Sequence, residues 1–172
     1  MRVVRQFWEK DVLEVAPALI GKMLVRRWRS GEEKRWLITE VEAYRGEEDL
    51  ACHARSGRTK RTEVMYQPGG RVYVYLIYGK YWMLNVVTGK ENQPQAVLIR
   101  GVEGSNGPGK LGQRLGLDKS FYGEDINLSL RLWIEDGKER KLKIERIRRV
   151  GVEYAGRWAE KLWRWKLDQI ES

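Results

Sequence analysis

Two strand-like runs separated by only two residues constrain this chain more than any other feature. Arg71 to Ile77 and Lys80 to Val87 are rich in β-branched and aromatic residues, and only Tyr78-Gly79 lies between them. So short a connection predicts an antiparallel hairpin, because a two-residue turn returns the second run alongside the first. Tyr73 and Tyr75 fall on one face of it at period two. Tyr78 stands at the tip, where turns ordinarily use Asn, Asp or Gly. A ring in that place either packs back on its own domain or enters something else, and side-chain wedges between base pairs are one such use.

The flanking sequence adds more strands and a few helices. Asp11 followed by Val15, Ala16, Leu19 and Ile20 predicts a capped helix, and Met23 to Val25 a strand beyond Gly21. Leu37 to Tyr44 predicts a strand whose alternation places Ile38, Glu40, Glu42 and Tyr44 on one face. Residues 52–70 are loop-like, Ala96 to Val102 is strand-like, and Asn106-Gly107-Pro108-Gly109-Lys110 predicts a turn feeding a helix through Leu115. Strands are expected near 130–135 and 141–147, and Trp158, Leu162 and Trp165 follow at helical spacing. The expected fold is α+β: a single domain over 1–172 with a curved, mainly antiparallel sheet, flanking helices and a protruding hairpin.

Composition narrows the function classes. Thirty-three Lys and Arg against 24 Asp and Glu leave a formal charge of +9, which favours polyanionic partners. Eight Trp and eight Tyr against two Phe favour rings with a polar edge, suited to base stacking as well as to cores. Cys52 and His53 are the only residues of their kinds, which excludes an internal disulfide and a Cys/His zinc site, so no metal and no cofactor is expected. No apolar run is long enough to span a membrane, and the early charges leave no room for a signal peptide, so the expected address is cytoplasmic, nucleoid-associated in a prokaryote.

Several residues could carry chemistry. A carboxylate on a half-buried strand needs a reason, and Glu42 beside Tyr44 is a candidate general base; the pattern does not separate it from Glu40, and a solvated face or ion pair is the plain alternative. His53 is the only imidazole. Cys52, adjacent in the chain, is a poor dyad partner and is expected to be a small buried residue. Asn85 interrupts an apolar strand, where its amide either reads a base edge or ties down a neighbour. Arg100 borders a buried layer and needs a carboxylate, with Glu42 a candidate partner. Arg55, Arg58, Lys60 and Arg61 form a basic cluster, and Lys110 sits at a helix start, an arrangement suited to phosphates. No Walker A or dinucleotide fingerprint is present.

Taken in order, the blocks Glu40-Val41-Glu42-Ala43-Tyr44, Ala51-Cys52-His53, Tyr73-Val74-Tyr75-Leu76-Ile77-Tyr78-Gly79, Asn85, Val97-Leu98-Ile99-Arg100, Gly107-Pro108-Gly109-Lys110-Leu111 and Asp118-Lys119-Ser120-Phe121 resemble the methylpurine-DNA glycosylase family along most of the chain. The resemblance implies a monofunctional repair glycosylase that flips alkylated or deaminated purines out of duplex DNA and removes them with water, working as a monomer. It assigns Glu42 to the water, Arg100 to holding both, Tyr44 and His53 to one side of the flipped base and Tyr75 to the other. Tyr78 would fill the vacated space and Asn85 would disfavour the amino group of guanine. Tyr73, Tyr81, Arg58, Lys60 and Lys110 are expected DNA contacts. Lys80 departs from the family pattern, which has an apolar residue after the tip. The competing expectation is a non-catalytic module that stacks single-stranded nucleic acid on Tyr73, Tyr75 and Tyr78.

Overall fold

The computed structural model of the chain describes residues 1–171, so the last residue of the domain expected over 1–172 lies outside the described residues. Its strands are β1 (Met23–Arg27), β2 (Glu33–Arg45), β3 (Val72–Ile77), β4 (Tyr81–Thr88), β5 (Gln95–Val102), β6 (Ser105–Asn106), β7 (Leu132–Glu135), β8 (Lys141–Ile147) and β9 (Arg164–Glu171). They form one curled antiparallel sheet, a half-barrel, in the order β3-β4-β5-β2-β1-β7, with β9 paired to β2 and β8 to β9. Three helices flank it, α1 (Arg5–Trp8), α2 (Val12–Leu19) and α3 (Pro108–Leu115). The expected α+β fold and the hairpin, β3 with β4, are both present.

Period-two alternation gives the central strands two different faces, and both are covered. Val41 and Ala43 of β2, Val72 and Val74 of β3, Leu84 and Val86 of β4, and Val97 and Ile99 of β5 point into the main core. There they meet α2, whose Val12, Val15, Ala16 and Leu19 are buried at i, i+3, i+4 and i+7. Asp11 caps α2 as expected, its carboxylate accepting the Leu13 N–H at 2.9 Å. On the opposite face the intervening residues, among them Glu42, Tyr44, Tyr73, Tyr75, Asn85, Leu98 and Arg100, collect around a pocket. The sheet is thus one wall shared by the core and the site.

Two expectations from the sequence are corrected. Ile38 does not share a face with Glu40, Glu42 and Tyr44: the β2–β5 register shifts between Ile38 and Glu40 and again between Glu40 and Val41, and this irregularity turns Ile38 into the main core. The Trp158, Leu162 and Trp165 tail is not one helix. Glu153–Glu160 forms short 3₁₀ turns kinked at Gly156, and Trp165 belongs to β9, paired with Val41. Its spacing mimics a helical stripe because Trp158 and Trp165 approach the same core from different elements.

The hairpin is anchored close to its turn and bare at its tip. A Cβ on Gly112 of α3 would lie 1.9 Å from the Trp82 carbonyl oxygen, so only glycine lets the helix sit this close to β4. Tyr78 and Gly79 both have positive φ, 54° and 62°, the pattern of a type I′ turn that matches the twist of the strands. Tyr78 is 91% exposed, so the ring does not pack back on its own domain.

Candidate active site

The pocket measures about 310 Å³ and opens between the hairpin and the Val150–Tyr154 segment. Its floor is Glu42, the one carboxylate among the described residues that line it. The Glu42 side chain is fully buried and each oxygen is held. Oε1 accepts the Tyr44 O–H at 3.0 Å and Arg100 Nη1 at 3.4 Å, and Oε2 accepts the Val150 N–H at 2.6 Å. Burial, the largest influence, pushes its pKa above the ordinary carboxylate value, while Arg100, the Val150 amide and Tyr44 pull it back. A carboxyl raised in this way is a stronger base once ionised.

The structure separates the two glutamates that the sequence could not. Glu40 lies two residues along β2 from Glu42, where Oε1 accepts Arg100 Nε at 3.0 Å and Arg164 Nη1 at 3.3 Å. It does not line the pocket; it fixes the guanidinium that reaches Glu42. Arg100 thus has the carboxylate partner its setting demanded, and a second one.

The walls are aromatic. Tyr44, His53, Tyr73 and Tyr75 all line the cavity, with His53 and Tyr75 edge to face at 4.6 Å between ring centroids. Burial first, and Arg61 and Arg55 after it, lower the His53 pKa to about 4, so the imidazole is neutral at pH 7. Its Nδ1 lies 2.8 Å from the Tyr73 hydroxyl, which burial holds near a pKa of about 12. Burial and the neighbouring Glu42 charge raise the Tyr44 hydroxyl well above its usual pKa, so it stays a donor to Glu42. Asn85 donates from Nδ2 to the Tyr73 carbonyl oxygen at 3.2 Å, tying β4 to β3 beside the cavity. Cys52 is buried beneath, and burial raises its thiol to about 12, so it is inert as a nucleophile.

The other expected residues divide. Tyr73 is 1% exposed, because its ring packs into the small cluster of Cys52, Ala54 and Met65 at the pocket wall; it is therefore not a surface DNA contact. Its burial also removes the three-tyrosine stacking platform that a single-strand module would need. Tyr81 and Lys110 lie together with Tyr78 along a shallower groove on the other side of the tip. Arg58 and Lys60 lie away from the pocket, Arg58 held by Glu63 at 3.3 Å and by Asn92 at 2.6 Å.

Sequence reasoning passed over three contributors. The Val150 amide carries no sequence signal, because a backbone N–H is the same in every residue. Arg149 and Asp49 form a fully buried pair, with Nη1 to Oδ2 at 2.6 Å and Nη2 to Oδ1 at 2.9 Å, that pins the segment before Val150. Arg61, seen only as one of a basic cluster, lines the pocket and stacks 5.0 Å from the Tyr75 ring.

Comparison with known proteins gives this arrangement a context. The family model described as methylpurine-DNA glycosylase matches residues 6–105 and 103–171. The chain belongs to the methylpurine-DNA glycosylase family. Membership makes it a DNA repair glycosylase for methylated purines. Among its relatives is a protein of Natranaerobius thermophilus, 40% identical over 187 residues that cover 95% of this chain and 94% of that one. Others come from Anaeromyxobacter sp., 44% identical with 98% and 90% covered, and Methanocella arvoryzae, 42% identical with 93% and 89% covered. All three are provisionally named 3-methyladenine DNA glycosylases.

Proposed function

We propose that the protein flips a damaged purine from duplex DNA into the aromatic pocket and hydrolyses its N-glycosidic bond with a water activated by Glu42, leaving an abasic site. The range of bases would be that of 3-methyladenine, 7-methylguanine, hypoxanthine and ethenoadenine. The observation that carries this reading is a single buried carboxylate, fixed by Arg100, Tyr44 and the Val150 amide, at the floor of a pocket walled by Tyr44, His53 and Tyr75.

Glu42 takes a proton from water as the oxygen attacks C1′, and the electrons of the breaking bond pass to the departing purine. Alkylation at N3 or N7 gives the base a positive charge that bond breaking neutralises, so a cationic base leaves readily and is attracted to the faces of the tyrosines. The ionised Glu42 also faces the positive charge developing on the sugar. No lysine lines the pocket among the described residues, which supports water as the nucleophile and a monofunctional reaction. Asn85, buried and already bonded to Tyr73, is a fixed amide against which the exocyclic group of normal guanine would clash.

Extruding a base costs a few kcal/mol, less when it is damaged or mispaired. Tyr78, exposed at the hairpin tip, would fill the gap and offset that cost. Tyr81 and Lys110 along the adjoining groove would meet the DNA beside it, while Arg58 and Lys60 would contact the duplex at longer range.

A panel of duplexes, each with one modified purine, tests this by alkali cleavage of the abasic product. The expected result is strand cleavage with wild type and loss of roughly 10²–10⁴-fold in single-turnover rate with Glu42→Gln, lesion binding retained. Intact strands across the panel, or full activity in Glu42→Gln, would overturn it.

A further inference from the structure

The pocket holds a cation of its own. Arg61 reaches in from the exposed loop before Thr62, with Cζ 5.0 Å from the centroid of the Tyr75 ring and Nη2 3.5 Å from His53 Nε2. No carboxylate among the described residues lies within ion-pair distance of it, whereas its neighbour Arg58 is paired with Glu63. A guanidinium cannot accept, so it sits where Nε2 must be the lone-pair nitrogen, and the remaining imidazole proton on Nδ1 then points to the Tyr73 hydroxyl. Arg61 thus puts a positive charge without a carboxylate partner against the same ring that would stack on a flipped base.

We infer that Arg61 sets the preference of the site between cationic and neutral damaged purines, disfavouring the cationic ones. This rests on the proposed glycosylase reading and refines its substrate range. An N-alkylated purine carrying a positive charge must either displace Arg61 from Tyr75, losing one cation–π contact to gain another, or enter beside it against like-charge repulsion. A neutral base such as hypoxanthine meets no like-charge repulsion, so it can enter with Arg61 still against Tyr75. Arg61 thus acts as a positive charge at the site whose cost falls on a ligand of its own sign.

The test compares single-turnover excision of 7-methylguanine and of hypoxanthine from otherwise identical duplexes by wild type, Arg61→Gln and Arg61→Lys. Removing the charge in Arg61→Gln should raise the ratio of cationic to neutral excision by about two- to fivefold, the scale of repulsion between two unit charges a few ångströms apart in water. Arg61→Lys should leave the ratio near wild type. The same shift should appear in lesion binding when Arg61→Gln is added to Glu42→Gln, so the inference is also read without turnover. An unchanged or falling ratio overturns it. Equal loss for both lesions, with the salt slope of DNA affinity reduced by about one, also overturns it and makes Arg61 a phosphate contact instead. If wild type releases neither base, the glycosylase reading itself fails, an outcome distinct from a ratio that does not move.

Discussion

Asp49→Asn, a change of one atom well outside the pocket lining, should damage both stability and the pH range of catalysis. Each Asp49 oxygen accepts one backbone N–H and one guanidinium N–H. Oδ2 takes Arg45 N at 3.0 Å and Arg149 Nη1, and Oδ1 takes Ala51 N at 3.0 Å and Arg149 Nη2. An amide nitrogen in either position confronts two donors and leaves the buried Arg149 without a counter-charge. Breaking one side of a buried pair costs about 3–5 kcal/mol. In a chain of this length each kcal/mol moves the melting temperature by about 2–4 °C, so the loss should be roughly 6–20 °C. The functional effect follows along the backbone, since the next residue, Val150, donates to Glu42 Oε2. Loosening that charge-assisted bond, worth about 1.5–3 kcal/mol, would raise the Glu42 pKa further and move the acid limb of activity to higher pH by up to about one to two units. Far-ultraviolet melts at pH 7, together with single-turnover rates from pH 5 to 9, read both. A melting loss below about 3 °C with an unmoved acid limb would refute this account of how Arg149 supports the site.

The Glu42 pKa is raised on folding, so the wild type loses stability as pH rises through that folded value and keeps it fully only below the unfolded one. Glu42→Gln should therefore melt no lower than wild type at pH 8 and lose any advantage at pH 4, whereas a lower melt at pH 8 would contradict the burial penalty. The His53 pKa shifts the other way, to about 4, and its contribution to stability is complete above about 6.5 and lost as pH falls toward 4. Proton NMR of this single imidazole should show no titration between pH 8 and 5.5, and a midpoint near 6.5 would contradict it. Tyr78 holds a left-handed backbone at φ 54°, so Tyr78→Gly should match or exceed wild-type stability, by about 1 kcal/mol, while lowering excision tenfold or more. Full activity in that variant would remove the ring from the mechanism.

The parts of the fold that were legible in the sequence are those decided by neighbours along the chain. The Asp11 cap, the β3–β4 hairpin and the turn into α3 each rest on residues a few positions apart. Alternation in β2 and β3 also pointed to the pocket face, except at Ile38, where an irregularity in strand pairing resets the phase with no Gly or Pro in β2 to announce it; the glycine at the shift, Gly101, lies on the partner strand. What stayed hidden depends on contacts across long separations. Asp49 and Arg149 are 100 residues apart and looked like ordinary surface charges. Glu40 and Glu42 looked alike because what distinguishes them is the company of Val150 and Arg164, brought in by the tail. The tail misled because a tryptophan at helical spacing satisfies a strand equally well once the strand has a core to face.

Glu42 occupies the middle of a strand that is hydrogen-bonded on both sides, with Leu98 of β5 and Arg164 of β9 as its register partners. Bending the backbone under it would require two ladders to open at once, so its amide belongs among the slowest to exchange with solvent. A site mounted on such an unyielding plank cannot adapt to its guest by closing around it. The adjustment has to come from the DNA and from the exposed rim, and an undamaged purine that reaches the pocket is turned away by misfit against a fixed frame.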